Sequence, residues 1–315
     1  MRGFIFKILL TGLLFFTGLG LGPLGHGSLA WAQQNVAFNQ SDFDVSFSID
    51  WTRGEIYSQT SFSLAQAGIR LPAGRFLGEE ILMEAYPGLL RPHILGIRVN
   101  SNSTIGDLLE RGELSIRNLD SLSLGADKAP ANLSRDLTRM IRNYTLSLDK
   151  ISAFLNPARR ASEPERPLIP VQTADYTGII IIANNELPLH GRISQALAEP
   201  CLFPRIWDTN MNLLYDRTMF EPGSRYTGGE IDFLMNRYAP IYDILRPSPS
   251  GLEGELLELL GPRPLRIFAR GVYGVSPTDL IIDRQDALRI LSSENNRRLL
   301  REGRVLLVLD EGLLR

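Results

Sequence analysis

The chain has 315 residues, with 33 lysines and arginines against 35 aspartates and glutamates, and 44% of its residues are hydrophobic. This length accommodates one large domain or two ordinary ones, and the balanced, scattered charge excludes the concentrated basic surface that a nucleic-acid partner requires. Cys201 is the single cysteine, so an internal disulfide is excluded and the core must form by apolar burial.

Residues 1–32 have the three-part order of a cleavable secretory signal peptide. Arg2 and Lys7 give a basic start, residues 8–24 are apolar or small, and Ala30-Trp31-Ala32 supplies the small residues that signal peptidase requires. We therefore predict cleavage between Ala32 and Gln33, and a periplasmic protein. Secretion, or anchoring in the membrane by an uncleaved segment, are the alternatives.

The membrane alternatives are disfavoured by length and by chemistry. A helix over residues 8–24 would reach about 25 Å, whereas the hydrocarbon core is roughly 30 Å thick. We therefore expect no stable membrane span after cleavage. The mature protein would begin with Gln33 rather than cysteine, which excludes a lipid anchor at that point.

In the first half, apolar periodicity predicts a sheet with helices. Phe43, Val45, Phe47, Ile49 and Trp51 alternate with polar residues, as in a half-buried strand that a turn at 52–54 returns into a hairpin. The predicted elements are strands at 43–51 and 56–64, a helix at 75–90 broken by Pro87-Gly88 and Pro92, a strand at 94–99, a helix at 105–111 capped by Thr104, an extended segment at 114–122 and a helix at 133–155.

A connector and a second domain follow. Residues 156–170 contain four prolines among charges, which favours an extended linker. Four consecutive isoleucines at 179–182 predict a strand covered on both faces. The remaining predicted elements are strands at 202–207 and 213–215 around a turn at 208–212, a short helix at 253–260, a strand at 265–273, and a strand–helix–strand finish at 280–283, 286–301 and 304–310, with Gly303 ending the helix.

Three short motifs suggest chemistry that their context does not support. The glycine pattern at 20–25 matches a dinucleotide fingerprint, but it lies in the signal segment without a βαβ unit. Ser147 and Lys150 have Ser-x-x-Lys spacing without the accompanying penicillin-binding motifs. Asp208, Asn210 and Asn212 begin like a calcium loop, but the glycine and glutamate that close such a loop are missing, so a hairpin turn is favoured.

Metal, cofactor and nucleophile sites are not indicated. His93 and His190 are far apart in the sequence and cannot form a helical zinc pair. Cys201 is interpreted as a small buried hydrophobe rather than a nucleophile. No catalytic, cofactor-binding or metal-binding residue is therefore assigned, and no cofactor is expected.

Carboxylates leave one enzymatic hypothesis open. An exported hydrolase would use aspartates that sequence spacing cannot assemble, with Asp175, Asp208, Asp279 and Asp283 as the residues to test. Asp286 is interpreted instead as the cap of the helix that follows it.

Two stretches carry a family resemblance. Residues 49–56 (Ile-Asp-Trp-Thr-Arg-Gly-Glu-Ile) resemble the opening of bacterial envelope proteins related to a small surface lipoprotein antigen, and are similar to the flagellar outer-membrane assembly protein T. The segments at 176–179, 204–208, 277–282 and 302–305 resemble the C-terminal portion of uncharacterised periplasmic proteins from spirochaetes and related bacteria. The resemblance implies an envelope protein and transfers no catalytic residue.

These observations predict an α+β protein of two domains, whose mixed or antiparallel sheets pack with helices. The predicted organisation is a signal peptide at 1–32, an N-terminal domain at 33–155 ending in a helix, a Pro-rich linker at 156–170 and a C-terminal domain at 171–315. The leading functional hypothesis is a non-enzymatic periplasmic protein that binds envelope or flagellar proteins, for example during flagellar or outer-membrane assembly. The alternatives are the hydrolase and a small-ligand-binding protein with a cleft between the two halves.

Overall fold

The computed structural model describes residues 42–155, 163–216, 219, 237–245 and 252–315. The predicted signal segment with its Ala32–Gln33 cleavage point lies outside the described residues, as does the glycine pattern at 20–25 and part of the predicted linker. Within the described ranges, no helix combines the length and apolar character that crossing a membrane requires.

The first half is an antiparallel sheet with one long helix packed across it. Its elements are β1 (Phe43–Asp50), β2 (Glu55–Ser63), α1 (Arg75–Leu95), β3 (Arg98–Asn100), β4 (Ser103–Thr104), α2 (Ile105–Glu110), α3 (Ile116–Leu124), β5 (Asp127–Lys128), β6 (Asn132–Leu133), β7 (Arg139–Ser147) and α4 (Leu148–Phe154). The strand order is β1-β2-β7-β5, and β6 also pairs with β7.

The predicted hairpin is confirmed. β1 and β2 pair without a register shift, with Phe43 opposite Phe62 and Ile49 opposite Ile56. Alternate residues of β1 are exposed, as expected when one face of an antiparallel strand meets the core and the other meets water.

The prediction that proline breaks the first helix is wrong. α1 continues through both Pro87 and Pro92 to Leu95. Proline removes a backbone donor and usually kinks or ends a helix. Here tertiary packing stabilises the helix before, between and after the two prolines, because Tyr86, Leu90 and Ile94 are fully buried. The Tyr86 and Tyr144 rings also stack at 3.6 Å, joining α1 to β7.

The helix predicted at 133–155 is also wrong over most of its length. Residues 139–147 form β7, which pairs with β2 along nine residues, and a helix begins at Leu148. Met140, Tyr144 and Leu148 lie four residues apart, so they satisfy a strand period of two as well as a helical stripe. Pairing with β2, which is distant in sequence, decides between the two.

The third disagreement concerns residues 114–122, predicted to be extended. α3 occupies this region, with the Ser115 hydroxyl accepting a hydrogen bond from the Asn118 amide at its start. Its buried Leu119 and an Arg91–Asp120 ion pair of 2.8 Å hold it against α1. The predicted helix after Thr104 is confirmed, and Thr104 forms a capping box with Asp107.

The second half contains two four-stranded sheets. Its elements are β8 (Ile179–Ile182), β9 (Leu187–Pro188), β10 (Gln195–Ala196), β11 (Arg205–Asp208), β12 (Leu213–Asp216), β13 (Arg237–Pro240), α5 (Ile241–Leu245), α6 (Leu252–Leu260), β14 (Leu265–Phe268), β15 (Gly271–Tyr273), β16 (Asp279–Ile282), α7 (Arg284–Leu291), α8 (Glu294–Arg301) and β17 (Val305–Leu309). The two orders are β13-β17-β8-β14 and β12-β11-β16-β15.

The first of these sheets is entirely parallel and the second is mixed. All four isoleucines of β8 are buried, which confirms the strand predicted to be covered on both faces. The single strand predicted at 265–273 is two strands: β14 belongs to the parallel sheet and β15 to the mixed sheet. Ala269 and Arg270 carry the chain from one sheet to the other.

The helix predicted at 286–301 is divided. Ser293 caps α8, so the chain breaks at Ser292 and Ser293 between two short helices. Asp286 is not the cap of the first helix: the Asp283 carboxylate accepts the Gln285 amide and caps α7. Gly303 ends α8 with φ of 61°, a conformation that glycine adopts without strain.

The protein is therefore a two-domain α+β fold, as predicted, with a parallel sheet added to the antiparallel and mixed ones. The largest apolar cluster includes side chains from both halves, such as Tyr144 and Ile179. Residues 163–178 form neither helix nor strand. The exact limits of the linker remain a prediction.

Leu137 offers a test of the turn before β7. It has φ of 59° and is 59% exposed. The left-handed conformation costs a side-chain-bearing residue about 1–2 kcal/mol, while glycine costs about 0.5–1 kcal/mol through unfolded-chain entropy. We expect Leu137→Gly to leave the free energy of unfolding unchanged or raise it by up to about 1 kcal/mol in urea denaturation. Leu124→Gly, at an exposed leucine in α3, is the matched control and should lower it by up to about 1 kcal/mol; equal losses in both variants would contradict the assignment.

The capping of α7 can be tested in the same way. Asp283→Ala removes a helix cap and should lower the free energy of unfolding by about 1 kcal/mol. Asp286→Ala removes an ion pair with Arg289 on the helix surface, which is worth less than about 0.5 kcal/mol. If the larger loss followed the substitution of Asp286, the cap would be assigned to the wrong residue.

Candidate functional site

The β3–β4 hairpin of the first domain contacts the second domain through backbone hydrogen bonds. The amides of Leu202 and Phe203 donate to the carbonyls of Arg98 and Val99 at 3.0 and 2.8 Å, and the Ser276 amide donates to the Ser101 carbonyl at 3.0 Å. The region between the domains, where a ligand cleft was one hypothesis, is filled at this place by protein.

A buried carboxylate lies beneath the hairpin tip. Asp279 begins β16 and is fully buried. The Ser101 hydroxyl, from the first domain, and the Trp207 indole N–H, from β11, each donate to Asp279 Oδ2 at 3.0 Å. The other oxygen, Oδ1, has a longer contact of 3.4 Å with the Thr278 hydroxyl. One carboxylate oxygen therefore joins the two domains through two donors.

The nearby arginines bind other carboxylates. Arg205 Nε lies 2.9 Å from Asp216 Oδ2, and Arg98 Nε lies 2.7 Å from Glu199 Oε2. Burial raises the pKa of Asp279 above its ordinary value, while the Trp207 indole, the charge of Arg205 and the Ser101 hydroxyl oppose that rise. Asp279 is thus held mainly by neutral hydrogen-bond donors, and its charged form is disfavoured by loss of water.

The contact between the hairpin and the second domain also depends on a glycine. Gly274 has φ of 117°, and a Cβ atom placed there would lie 2.3 Å from the Cβ atom of Ser101. Any side chain would displace Ser101 from its position over Asp279. Glycine is therefore required both by the backbone conformation and by the close approach of the two domains.

Cys201 has the environment predicted for a small buried hydrophobe. It is fully buried, its amide donates to the Tyr238 hydroxyl at 3.1 Å, and that hydroxyl donates to the Cys201 carbonyl at 2.9 Å. Burial raises the pKa of the Cys201 thiol to about 12. Because the thiolate is the nucleophilic form, the thiol is held in its unreactive state at neutral pH.

The four aspartates named for the hydrolase hypothesis do not gather in one place. Asp279 and Asp283 flank opposite ends of β16. Asp208 ends β11, which runs parallel to β16, so Asp208 and Asp283 are brought to the same edge of the sheet. Asp175 lies elsewhere and accepts a hydrogen bond of 2.6 Å from the Ser293 hydroxyl.

The segment after β11 is the hairpin turn favoured over a calcium loop. The Asp208 carboxylate accepts the backbone amides of Asn210 and Asn212 at 2.9 and 2.8 Å, and the Asn212 side-chain amide at 2.8 Å. Arg284 lies 3.5 Å from the same carboxylate. The aspartate shapes the turn between β11 and β12.

His93 and His190 lie in different domains and both are exposed. The His93 ring stacks on Phe47 with ring centroids 4.9 Å apart, and the His190 ring meets the edge of Tyr273 at 5.9 Å. They share no site. Sequence reasoning named Asp279 but missed its partners Ser101 and Trp207, because they lie 178 and 72 residues away from it in the chain.

The bond between Ser101 and Asp279 can be tested by removing one hydroxyl. Ser101→Ala should lower the free energy of unfolding by about 1–3 kcal/mol in urea denaturation, because the buried Asp279 oxygen loses one of its two donors. Ser48→Ala, at an exposed serine of β1, is the control and should change it by less than about 0.5 kcal/mol. Equal stability of the two variants would exclude a strong bond between the domains.

Each of the two domains matches a model of a known protein family. Residues 42–154 match the family model described as Treponema pallidum Tp0624, N-terminal domain, and residues 178–311 match Treponema pallidum Tp0624, second domain. The comparison with curated proteins gave no match. The matches support the spirochaete-type resemblance but show no link to the surface lipoprotein antigen or to flagellar assembly protein T. Over these two stretches, which together span more than half of its 315 residues, the chain is similar to the N-terminal and second domains of Treponema pallidum Tp0624.

Proposed function

We propose that this protein is a non-enzymatic, periplasmic protein that binds other components of the bacterial envelope. The basic start, apolar segment and Ala30-Trp31-Ala32 of residues 1–32 support export. The resemblance of residues 49–56 to flagellar assembly protein T supports flagellar or outer-membrane assembly as the setting, with envelope or flagellar proteins as partners.

The observation that carries the binding role is the outer side of α1. Phe76, Leu77 and Met83 are exposed, with 78% of Phe76 accessible to water. Phe76 and Met83 lie seven residues apart, two turns along one side of the helix. The inner side is already occupied, since Gly78 and Leu82 are buried against the sheet. Large apolar side chains grouped on the surface are typical of protein interaction sites.

The surroundings of these side chains fit a protein partner. Glu80 and Glu84 are exposed on the same helix, so charged groups border the apolar ones. An apolar centre with a polar rim is the usual composition of a specific interface. The helix is also firmly fixed, because Tyr86, Leu90 and Ile94 anchor it in the core. A partner would therefore meet a surface that needs little ordering on binding.

Crosslinking in envelope extracts tests this role. Tagged protein should recover a discrete crosslinked envelope component, and the double variant Phe76→Ser, Met83→Ser should recover about tenfold less, since loss of a central apolar contact costs more than about 1 kcal/mol of binding energy. Ile116→Ser, Leu124→Ser is the matched control, because it removes two exposed apolar side chains from α3 of the same domain. Recovery of the protein alone, or equal recovery by both variants, would overturn the proposed role of α1.

A further inference from the structure

The bond between Ser101 and Asp279 crosses the domain junction at a group that can change its charge. Asp279 has no exposed surface, and its Oδ2 accepts from Ser101 of one domain and Trp207 of the other. If the hairpin separated from the second domain, Asp279 would lose the Ser101 donor and become hydrated. The charge state of the carboxyl and the closure of the junction are therefore linked.

We propose that protonation of Asp279 stabilises the domain junction, which is the contact of the β3–β4 hairpin with the second domain. The hairpin then separates from the second domain less often in mild acid than at neutral pH. This inference is independent of the binding role of α1.

The geometry accommodates the protonated acid without rearrangement. Both strong donors, from Ser101 and Trp207, converge on Oδ2. Oδ1 makes the longer contact of 3.4 Å with the Thr278 hydroxyl, which can accept a hydrogen bond. A proton on Oδ1 can thus be donated to Thr278 while Oδ2 continues to accept from its two partners.

The direction of the effect follows from proton linkage. Burial raises the pKa of Asp279 in the closed junction, and hydration would return the pKa towards its ordinary value of about 3.9 when the junction opens. The closed form therefore binds the proton more tightly, so its advantage is complete below the ordinary pKa and is lost as pH rises through the raised pKa. Each pKa unit between the two forms changes the opening equilibrium tenfold.

The other charged groups near Asp279 are paired with one another. Arg205 of β11 pairs with Asp216 of β12, and Arg98 of β3 pairs with Glu199. The charge of Arg205 favours the ionised form of Asp279, but burial is the larger influence. The remaining titratable neighbours are the Cys201 thiol, whose pKa of about 12 keeps it neutral, and Tyr273, which lies opposite Asp279 on β15.

Hydrogen exchange at the junction measures its opening directly. The amides of Leu202, Phe203 and Ser276 donate hydrogen bonds to the hairpin of the other domain. Their protection from exchange therefore reports whether the hairpin is in contact with the second domain. In the full chain, protection corrected for intrinsic exchange should rise at least about threefold as pH falls from 7 to 4, and by no more than about tenfold for each pKa unit between the closed and open forms. The β7 amide of Tyr144, paired with β2, reports the first domain alone and separates this effect from global unfolding.

Two variants identify the responsible group. Asp279→Asn keeps an oxygen for Ser101 and Trp207 and an amide for Thr278, and should make junction protection independent of pH. Asp283→Asn, at the other end of β16, should keep the wild-type slope. Constant or falling wild-type protection in acid, or an unchanged slope in Asp279→Asn, would overturn the proposal.

A measurement on the unaltered protein covers the case in which Asp279→Asn does not fold. The Asp279 carboxyl carbon and the Trp207 indole N–H should titrate together in the NMR spectrum, with a midpoint above the ordinary value of about 3.9. A midpoint at or below that value would equally overturn the proposal.

Discussion

A carboxylate withdrawn from water is costly unless protein donors replace its hydration, and Asp279 obtains those donors from both domains. Ser101 reaches it from the hairpin tip and Trp207 from the neighbouring strand. The need to keep Ser101 in place explains the glycine at position 274, where a side chain would collide with it. The relative position of the domains is thus tied to one buried acid.

A second set of contacts, through Trp51, also joins the two domains. The Trp51 ring meets the Tyr238 ring edge-on at 5.9 Å, and the Trp51 amide donates to the Leu314 carbonyl at 2.9 Å. The hairpin β1–β2 is therefore joined to the second domain at its turn, far along the sequence from β3. Two separate attachments restrict hinge motion between the domains more than a single linker would.

Local patterns allowed prediction of those elements whose residues follow a single period. The alternation at 43–51 and the four isoleucines at 179–182 specify strands with little ambiguity. Residues 139–147 could not be assigned in this way, because Met140 and Tyr144 fit both periods and the decision lies with β2, distant in the chain. α1 continues past Pro87 for a similar reason, since buried side chains on both sides outweigh the local penalty. The junction was least predictable, as Ser101 and Asp279 are 178 residues apart.

The order of strands in the parallel sheet has a consequence for how the chain matures. β17 is the last of its four strands in the sequence, yet it lies between β13 and β8. Among the strands that the structure describes, β13 has no partner in that sheet until β17 is synthesised, and β8 has one edge open. Long-range closure of this kind slows folding, so this sheet of the second domain stays incomplete until β17 has been synthesised.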